Sequence, residues 1–380
     1  MSQLPKKTFS LSMVWVVAIE VLILAGAILI HMLSALPLEY SWSRTLELFW
    51  QSVTDKYFIV MACIALIAAA GVRTRRSFSS PLCFDARFFI SLILAAIVLM
   101  VMVAASPRYG AWDYAFLLPV LALMMPALRQ RHPVKALAGF IATILVLVVT
   151  SYVFTIYKSQ LFIERAPLDT LLVEAESFLF GQPLYLSIAE WASTHTAWVR
   201  FSDWVYYLFF HHMALTALFL FACDDNEEQW RYVLSLALCY TLGGLSYFLF
   251  PAMGPAYFDP AHFTYLNTDA EFTTFIQGCL KTSTDDASIG RLAVIETFAF
   301  IACMPSLHMA HETIMLFYSR RSRLMLGLAA LFWAGAFAAV LILGWHYLFD
   351  VVGGLVLAAL VILIAQRVQL TTTAGSRQTA

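Results

Sequence analysis

The chain has 380 residues, of which 61% are hydrophobic and only 12% are charged. Soluble domains carry about twice that fraction of charged residues, so the composition excludes an ordinary soluble protein and predicts a membrane protein. The formal net charge of −1 lacks the basic excess of nucleic-acid-binding proteins, and no nucleic-acid partner is expected.

Long apolar runs predict an all-α polytopic membrane protein with about ten transmembrane helices. Runs of this length suit helices that cross the hydrocarbon core of a bilayer. The predicted spans cover residues 11–33, 57–72, 88–105, 113–128, 136–157, 199–222, 231–250, 300–318, 325–344 and 347–366.

Basic residues between the spans predict how the helices are oriented. Clusters of Lys and Arg fall in alternate connecting segments, at 6–7, 73–76, 129–135, 231 and 320–323. Because positive charge marks the cytoplasmic side, both termini are expected in the cytoplasm. The intervening connections are expected on the outer side.

Two outer connections are longer than a simple link requires. Residues 158–198 carry apolar residues at mostly helical spacing with a break at FGQP, which is typical of a pair of interfacial amphipathic helices. Residues 251–299 carry Pro, Gly and mixed charge, which suits a cap over an active site. The predicted division is N-terminal transmembrane helices of unknown role (1–157), a catalytic membrane domain (158–366) and a cytoplasmic tail (367–380).

Three ionisable residues lie beside the last apolar runs, where such groups are costly and usually functional. His308 lies in MPSLHMAHE, and His346 and Asp350 lie in GWHYLFDVVGG. The two histidines are 38 residues apart, about one helix across the bilayer and most of another back, so both are expected on the same side. Asp350 is expected to share a helix face with His346 and to accept from its ring N–H. The other ring nitrogen is then free to act as a nucleophile.

The residues around His308 are predicted to begin a helix. Pro305 suits the first helical turn, and Ser306 and His308 would add a hydroxyl and an imidazole to a helix N-terminus, which attracts phosphate. One orienting carboxylate, one nucleophilic histidine and one histidine that protonates the leaving oxygen form a metal-free set for phosphoester transfer. No metal and no other cofactor is expected.

Each of these assignments has a structural alternative. His308, His346 and Asp350 would in that case form a buried polar network that joins helices. His311 and Glu312 invite a metal site, but the order HxxHE differs from the HExxH order of zinc hydrolases. A supporting or packed role is therefore favoured for His311.

Other polar residues favour structural roles. For His211 and His212 a hydrogen bond across helices is favoured over a place along the substrate. Asp169, Glu174 and Asp203 are expected to be interfacial or capping groups rather than catalysts.

The chain resembles the type 2 phosphatidic acid phosphatase superfamily in two motifs. The second motif of that superfamily, Pro-Ser-Gly-His, is matched by the run from Pro305 to His308, and the third ends in a histidine and an aspartate matched by His346 and Asp350. The resemblance implies that His346 is the nucleophile that forms a phosphohistidine, that Asp350 is its partner and that His308 is the general acid. Ser306 would help to hold the phosphoryl oxygens.

The chain also departs from the superfamily pattern. Leu307 replaces the glycine of the second motif, Val340 stands at the third-motif arginine, and no first motif of lysine followed by Arg-Pro is visible. These changes resemble the branch that contains inositol phosphorylceramide synthase, which also reads Pro-Ser-Leu-His and His-Tyr-x-x-Asp. The resemblance covers about residues 160–366.

Loss of the first motif leaves the cation that neutralises the phosphate unidentified. Arg165, Arg200, Lys281 and Arg291 are the outer-side candidates. Arg291 ranks first because it lies in the segment that leads to Ser306 and because arginine can bind phosphate through two N–H groups.

The expected function is that of a lipid phosphotransferase or phosphatase at the outer leaflet. The substrate would be a phospholipid or a polyprenyl- or sphingolipid-type phosphoester, and either water or an acceptor alcohol would resolve the phosphohistidine. The membrane is expected to be a bacterial inner membrane rather than a eukaryotic secretory one, with the site on the periplasmic or luminal side. The rival is a lipid transporter or flippase that uses the His/Asp pair as a proton relay, against which stands the absence of a sequence repeat. A catalytically silent scaffold is the third reading, and the oligomeric state stays open.

Overall fold

A computed structural model describes residues 13–33, 39–47, 65, 68, 133–159, 168–223, 226–288, 294–295 and 300–368. The predicted spans at 88–105 and 113–128, most of the span at 57–72 and the predicted tail after residue 368 lie outside the described residues.

The described residues are mostly helical, as the all-α prediction requires. The helices are α1 Met13–Leu33, α2 Pro133–Ser159, α3 Asp169–Phe180, α4 Leu184–Thr194, α5 Thr196–Tyr207, α6 Phe209–Ala222, α7 Asn226–Leu249, α8 Pro255–Phe258, α9 Leu266–Asp269, α10 Glu271–Ser288, α11 Leu307–Tyr318, α12 Arg323–Ile342 and α13 Leu348–Arg367. One parallel strand pair, β1 Glu39–Tyr40 and β2 Val294–Ile295, links the two halves of the chain, with Glu39 opposite Val294.

Within the described residues, α12 and α13 are each long and apolar enough to cross a membrane. Helices α5 and α6 would add a third span if the two form one span, with a bend of 45° between them. The predicted spans at 325–344 and 347–366 agree with α12 and α13 to within two residues. The predicted total of about ten is not established by these helices.

Two predicted spans have different boundaries in the structure. The span predicted at 199–222 is two helices, because the chain bends at Leu208. The span predicted at 300–318 begins as a helix only at Leu307, because the residue before a proline is disfavoured in helical conformation. Pro305 therefore lies two residues before the helix, and the prediction that it occupies the first turn is wrong.

The predicted pair of helices is present as α3 and α4. Gly181, in the FGQP break, ends α3 in a left-handed conformation with φ of 81°, which glycine adopts without steric cost. Trp191, Phe178 and Phe180 are exposed on these two helices, and their position at a membrane interface stays a prediction.

Two clusters of buried side chains position the site. One cluster joins α6, α7, α11 and α13, and it includes the fully buried Phe219, Tyr232 and Tyr318. The other joins α3–α5 and α12 with the connection between α7 and α10, and it contains Trp345 and Tyr347. The loop that carries His346 is thus buried between the helices and the connection from α7 to α10.

Candidate active site

The run Pro-Ser-Leu-His forms a cap and the start of α11. Ser306 is the N-cap of this helix, and its Oγ accepts from the backbone N–H of Met309 at 3.4 Å. Such a cap satisfies one of the N–H groups that the first helical turn leaves unpaired. The cap places His308 in the first turn of α11.

Helix α13 packs directly against this cap. The backbone N–H of Ser306 donates to the carbonyl of Asp350 at 2.9 Å. A β-carbon on Gly354 would collide with the Ser306 carbonyl, and one on Gly353 would lie 3.3 Å from Pro305 Cβ. The glycine pair in DVVGG therefore allows the two motifs to meet through backbone contact.

His346 lies on a tight turn after α12. Gly344 has φ of 68°, a conformation that favours glycine, and a β-carbon there would collide with the Phe263 ring. The backbone N–H groups of Trp345 and His346 both donate to the carbonyl of Val340, at 3.0 and 3.1 Å. Gly344 therefore allows the chain to turn tightly before His346.

The two imidazoles face each other. The ring centroids of His308 and His346 are 5.9 Å apart, with an angle of 61° between the rings. His346 is buried, with 4% of its surface exposed. The sequence predicts that these two histidines lie close together, and the structure agrees.

Asp350 lies beside His346 but not on a shared helix face. His346 precedes Tyr347, the N-cap of α13, whereas Asp350 is the third residue of that helix and its Oδ2 accepts from the Tyr347 N–H at 2.8 Å. His346 Nδ1 is 3.6 Å from the same Oδ2, slightly longer than a hydrogen bond. Among the described residues, Asp350 Oδ1 has no hydrogen-bond partner.

Two acidic residues of α3, Asp169 and Glu176, form hydrogen bonds with Tyr347 and Leu348, the two residues that follow His346. Asp169 accepts from the Tyr347 hydroxyl at 3.0 Å and from the N–H groups of Met253 and Gly254 at 2.9 Å each. Burial raises the pKa of the Asp169 carboxyl, and these hydrogen bonds oppose the increase. Asp169 is therefore a buried group that binds backbone N–H groups of the connection after α7, and it caps none of the described helices.

Glu176 has a role in the site that sequence reasoning missed. Its carboxylate accepts from the N–H of Leu348 at 2.8 Å and from the N–H of Leu184 at 2.9 Å. It thereby ties the first residue of α13 to α4. The available signal was its spacing, since Glu176 follows Asp169 by two helical turns and so lies on the same inward face of α3.

Both histidines open onto a cavity of about 360 Å³. Most of its lining is aromatic or aliphatic, and most of the lining residues come from α2, α5, α6, α7, α10 and α11. Its polar lining includes two further histidines, His211 and His311, and Lys158. A largely apolar cavity with a few polar groups at one place is typical of a ligand site.

The other predicted phosphate contacts lie elsewhere. Ser306 is fully buried at the helix cap and does not line the cavity. Arg200 pairs with Asp269 at 2.9 Å and Lys281 pairs with Asp285 at 2.6 Å, both with exposed cationic groups. Arg165 and Arg291 lie outside the described residues.

The remaining polar predictions concern helix contacts. His212 Nδ1 and Glu312 Oε2 form a buried pair between α6 and α11 at 2.9 Å, which confirms the predicted cross-helix bond for His212. His211 lines the cavity instead. Asp203 accepts from the N–H groups of Phe272 and Thr273 at the start of α10, so its predicted capping role is confirmed.

One group of side chains has the spacing of a metal site. Donor atoms of Cys303, His346 and Asp350 lie within 4.8 Å of one another, and all three residues are buried. A metal bound there would occupy the histidine and carboxylate that the phosphohistidine chemistry uses. A metal site and a phosphohistidine on His346 therefore exclude each other, and treatment with a chelator distinguishes them.

A family model described as the PAP2 superfamily, the type 2 phosphatidic acid phosphatases, matches residues 170–364. This is just over half of the chain. The chain belongs to the PAP2 superfamily. The matched PAP2 region begins in α3, ends in α13 and contains His308, His346 and Asp350. Searches of curated proteins and of solved structures gave no match.

Membership in the PAP2 superfamily indicates a phosphatase or phosphotransferase that acts on phosphorylated lipids. The apolar helices of the PAP2 region agree with a membrane protein. Helices α1 and α2 lie before the matched region, although α2 packs against α7 within it.

Proposed function

We propose that the protein is an integral membrane enzyme that transfers or hydrolyses the phosphoester group of a lipid through a phosphohistidine on His346. One observation carries the proposal: the imidazoles of His308 and His346 face each other at 5.9 Å across one end of a cavity. A tetrahedral group in the cavity beside these two rings can contact both, as attack by one histidine and protonation by the other require.

The reaction runs in two halves. The ring nitrogen of His346 that faces away from Asp350 attacks phosphorus, and the bond to the leaving oxygen breaks as His308 gives that oxygen a proton. The oxygen of water or of an acceptor alcohol then attacks the phosphohistidine, His308 removes its proton, and the N–P bond breaks. Both histidines end in their starting protonation states.

Asp350 stabilises the positive charge that develops on His346 during attack. The distance of 3.6 Å between Nδ1 and Oδ2 shortens to a hydrogen bond when substrate fills the site, since catalytic contacts are commonly long without substrate. Ser306 supports His308 through the helix cap. A contact of its hydroxyl with a phosphoryl oxygen stays a prediction, because Ser306 does not line the cavity. A role for Arg291 in binding the phosphate stays a prediction.

The lipid enters from the outer leaflet. Three observations support this placement: Arg320, Arg321 and Arg323 lie at the opposite end of α11 from His308, exposed aromatic side chains cover α3–α5, and the cavity is mainly apolar. Basic residues mark the cytoplasmic side and aromatic residues the interface. A bacterial inner membrane with a periplasmic site is the setting we propose.

Residues 158–366 form the catalytic unit in this proposal, and residues 1–157 supply further spans that bring the total to about ten. The motif His-Tyr-x-x-Asp and Leu307 favour transfer to a lipid alcohol over hydrolysis, by resemblance to the inositol phosphorylceramide synthase branch. The lipid classes we propose are phospholipids and polyprenyl- or sphingolipid-type phosphoesters.

Incubation of the purified protein with a lipid labelled in its phosphate group tests the activity. Transfer predicts a labelled product only when an acceptor alcohol is added, whereas hydrolysis predicts labelled phosphate without an acceptor. A transporter with a His346–Asp350 proton relay predicts neither product. Wild-type protein without phosphoester turnover on any of these lipid classes would contradict the proposal.

A further inference from the structure

The proposed chemistry needs a positive charge next to the phosphate, and the first motif that supplies it in the PAP2 superfamily is missing from the sequence. Two of the cations predicted to replace it, Arg200 and Lys281, are exposed and paired with carboxylates. Arg44 lines the cavity, but its guanidinium pairs with Glu47 at 2.9 Å.

Lys158 differs from these cations in its position. It lies at the end of α2 with 4% of its surface exposed, and it lines the cavity that also contains His308 and His346. The residue precedes the region matched by the PAP2 model.

The surroundings of Lys158 do not compensate its charge. Its Nζ lies 5.0 Å from the centre of the Phe154 ring, a weak cation–π contact. Within the described part of the chain, no carboxylate forms an ion pair with Lys158. Burial of a cation without a partner is unfavourable, so the position is costly to the protein unless an anion enters the cavity.

We propose that the Lys158 ammonium binds the phosphate group of the lipid substrate and replaces the cations of the missing first motif. This inference rests on the proposed function, because the phosphate lies between Lys158, His308 and His346. The ammonium contacts non-bridging phosphoryl oxygens, and their negative charge removes the cost of its burial. Helix α2, outside the matched region, thereby contributes to the active site.

Orthovanadate is the probe of choice, because it imitates the phosphoryl group without needing a known lipid. The variants are Lys158→Met, which removes the charge but keeps an unbranched chain, and Lys158→Arg, which keeps the charge. Arg367→Met is the matched control, since it removes an exposed cation at the far end of α13. Vanadate affinity and thermal stability of the full chain are measured in detergent, together with turnover of the labelled lipid.

Lys158→Met is expected to weaken vanadate binding about 10- to 100-fold, the loss that accompanies removal of one hydrogen bond to a charged group. Lys158→Arg should retain most of the affinity, and Arg367→Met all of it. Thermal stability without vanadate should be unchanged or higher in Lys158→Met, because an uncompensated buried charge has been removed.

Equal vanadate affinity of Lys158→Met and wild type, with turnover retained, would overturn the role of Lys158 and leave the proposed function intact. A large loss of thermal stability in Lys158→Met would overturn it as well, since the residue would then be structural. Failure of the wild type both to bind vanadate and to turn over lipid would remove the proposed function itself.

Discussion

Gly354 of α13 packs against the carbonyl group of Ser306 so closely that a β-carbon has no space. This contact fixes the distance between the two motifs, because Ser306 caps the helix of His308 and Gly354 lies one turn after Asp350. Backbone contact between the motifs is therefore a requirement of the site, not a consequence of side-chain packing.

Gly354→Ala is expected to separate α13 from α11 and to lower turnover by at least about tenfold, since small displacements of reacting groups are costly. The free energy of unfolding should also fall by about 1–3 kcal/mol, the usual cost of overpacking. Gly327→Ala is the control, because a β-carbon at Gly327 of α12 meets nothing within 4 Å. Equal turnover of the two variants would contradict the account of this contact.

The loss of turnover that follows removal of His308 should depend on the leaving group of the substrate. Loss of a general acid costs about 10²- to 10⁴-fold, but only where the leaving oxygen needs a proton. His308→Ala should therefore lose most of its turnover of lipid phosphoesters and much less with a nitrophenyl phosphoester, whose leaving group is stable as an anion. The same loss with both substrates would show that His308 is not the acid.

Glu176 is expected to position His346 through the N–H of Leu348 without contact to substrate. Glu176→Ala leaves two buried N–H groups without an acceptor, at a cost of about 1–3 kcal/mol for each. The turnover number should fall while the Michaelis constant changes little, because binding of the lipid does not involve this residue. A change confined to the Michaelis constant would point to a direct role in binding.

The pH dependence of stability provides a separate test of Glu176. Burial raises its pKa above the ordinary value of 4.5, so the folded chain holds the proton more tightly than the unfolded chain does. Its contribution to stability is then greatest below pH 4.5 and declines as the pH rises through the raised pKa. As the pH rises, the melting temperature of the wild type should therefore fall relative to that of Glu176→Gln. A difference in melting temperature that does not change with pH would contradict the raised pKa.

Chelators distinguish the histidine mechanism from a metal centre at Cys303, His346 and Asp350. Turnover is expected to persist after treatment with EDTA and in Cys303→Ser, because neither a metal nor the thiol takes part in the proposed steps. Loss of turnover with EDTA and recovery with added Zn²⁺ would assign the three donor atoms to a metal.

The sequence predicted which residues meet at the candidate site better than it predicted the side chains around them. The ends of α12 and α13 and the pairing of His308 with His346 follow from long apolar runs with rare ionisable residues between them. The bend at Leu208 was not predictable, since the residues on both sides are apolar and no proline or glycine marks the break. The sequence analysis placed His346 and Asp350 in one helix, whereas His346 precedes the N-cap of α13 and Asp350 follows it. A spacing of four residues is compatible with both arrangements.

Glu176 and Lys158 were missed for a different physical reason. A charged residue at the edge of an apolar run is usually an interfacial group, and nothing local separates that case from a group turned inward. The role of Glu176 depends on a hydrogen bond to Leu348, far away in the chain, and the proposed role of Lys158 depends on the cavity that it shares with His308. Tertiary packing alone reveals such contacts.

Direct detection of the covalent intermediate is the most decisive measurement. Wild-type protein is mixed with a lipid labelled in its phosphate group, quenched under alkaline conditions where phosphohistidine survives, and digested for mass spectrometry. The account predicts a phosphoryl group on His346, absent from His346→Ala. Turnover of the same lipid with no labelled residue, or with the label on another side chain, would contradict it.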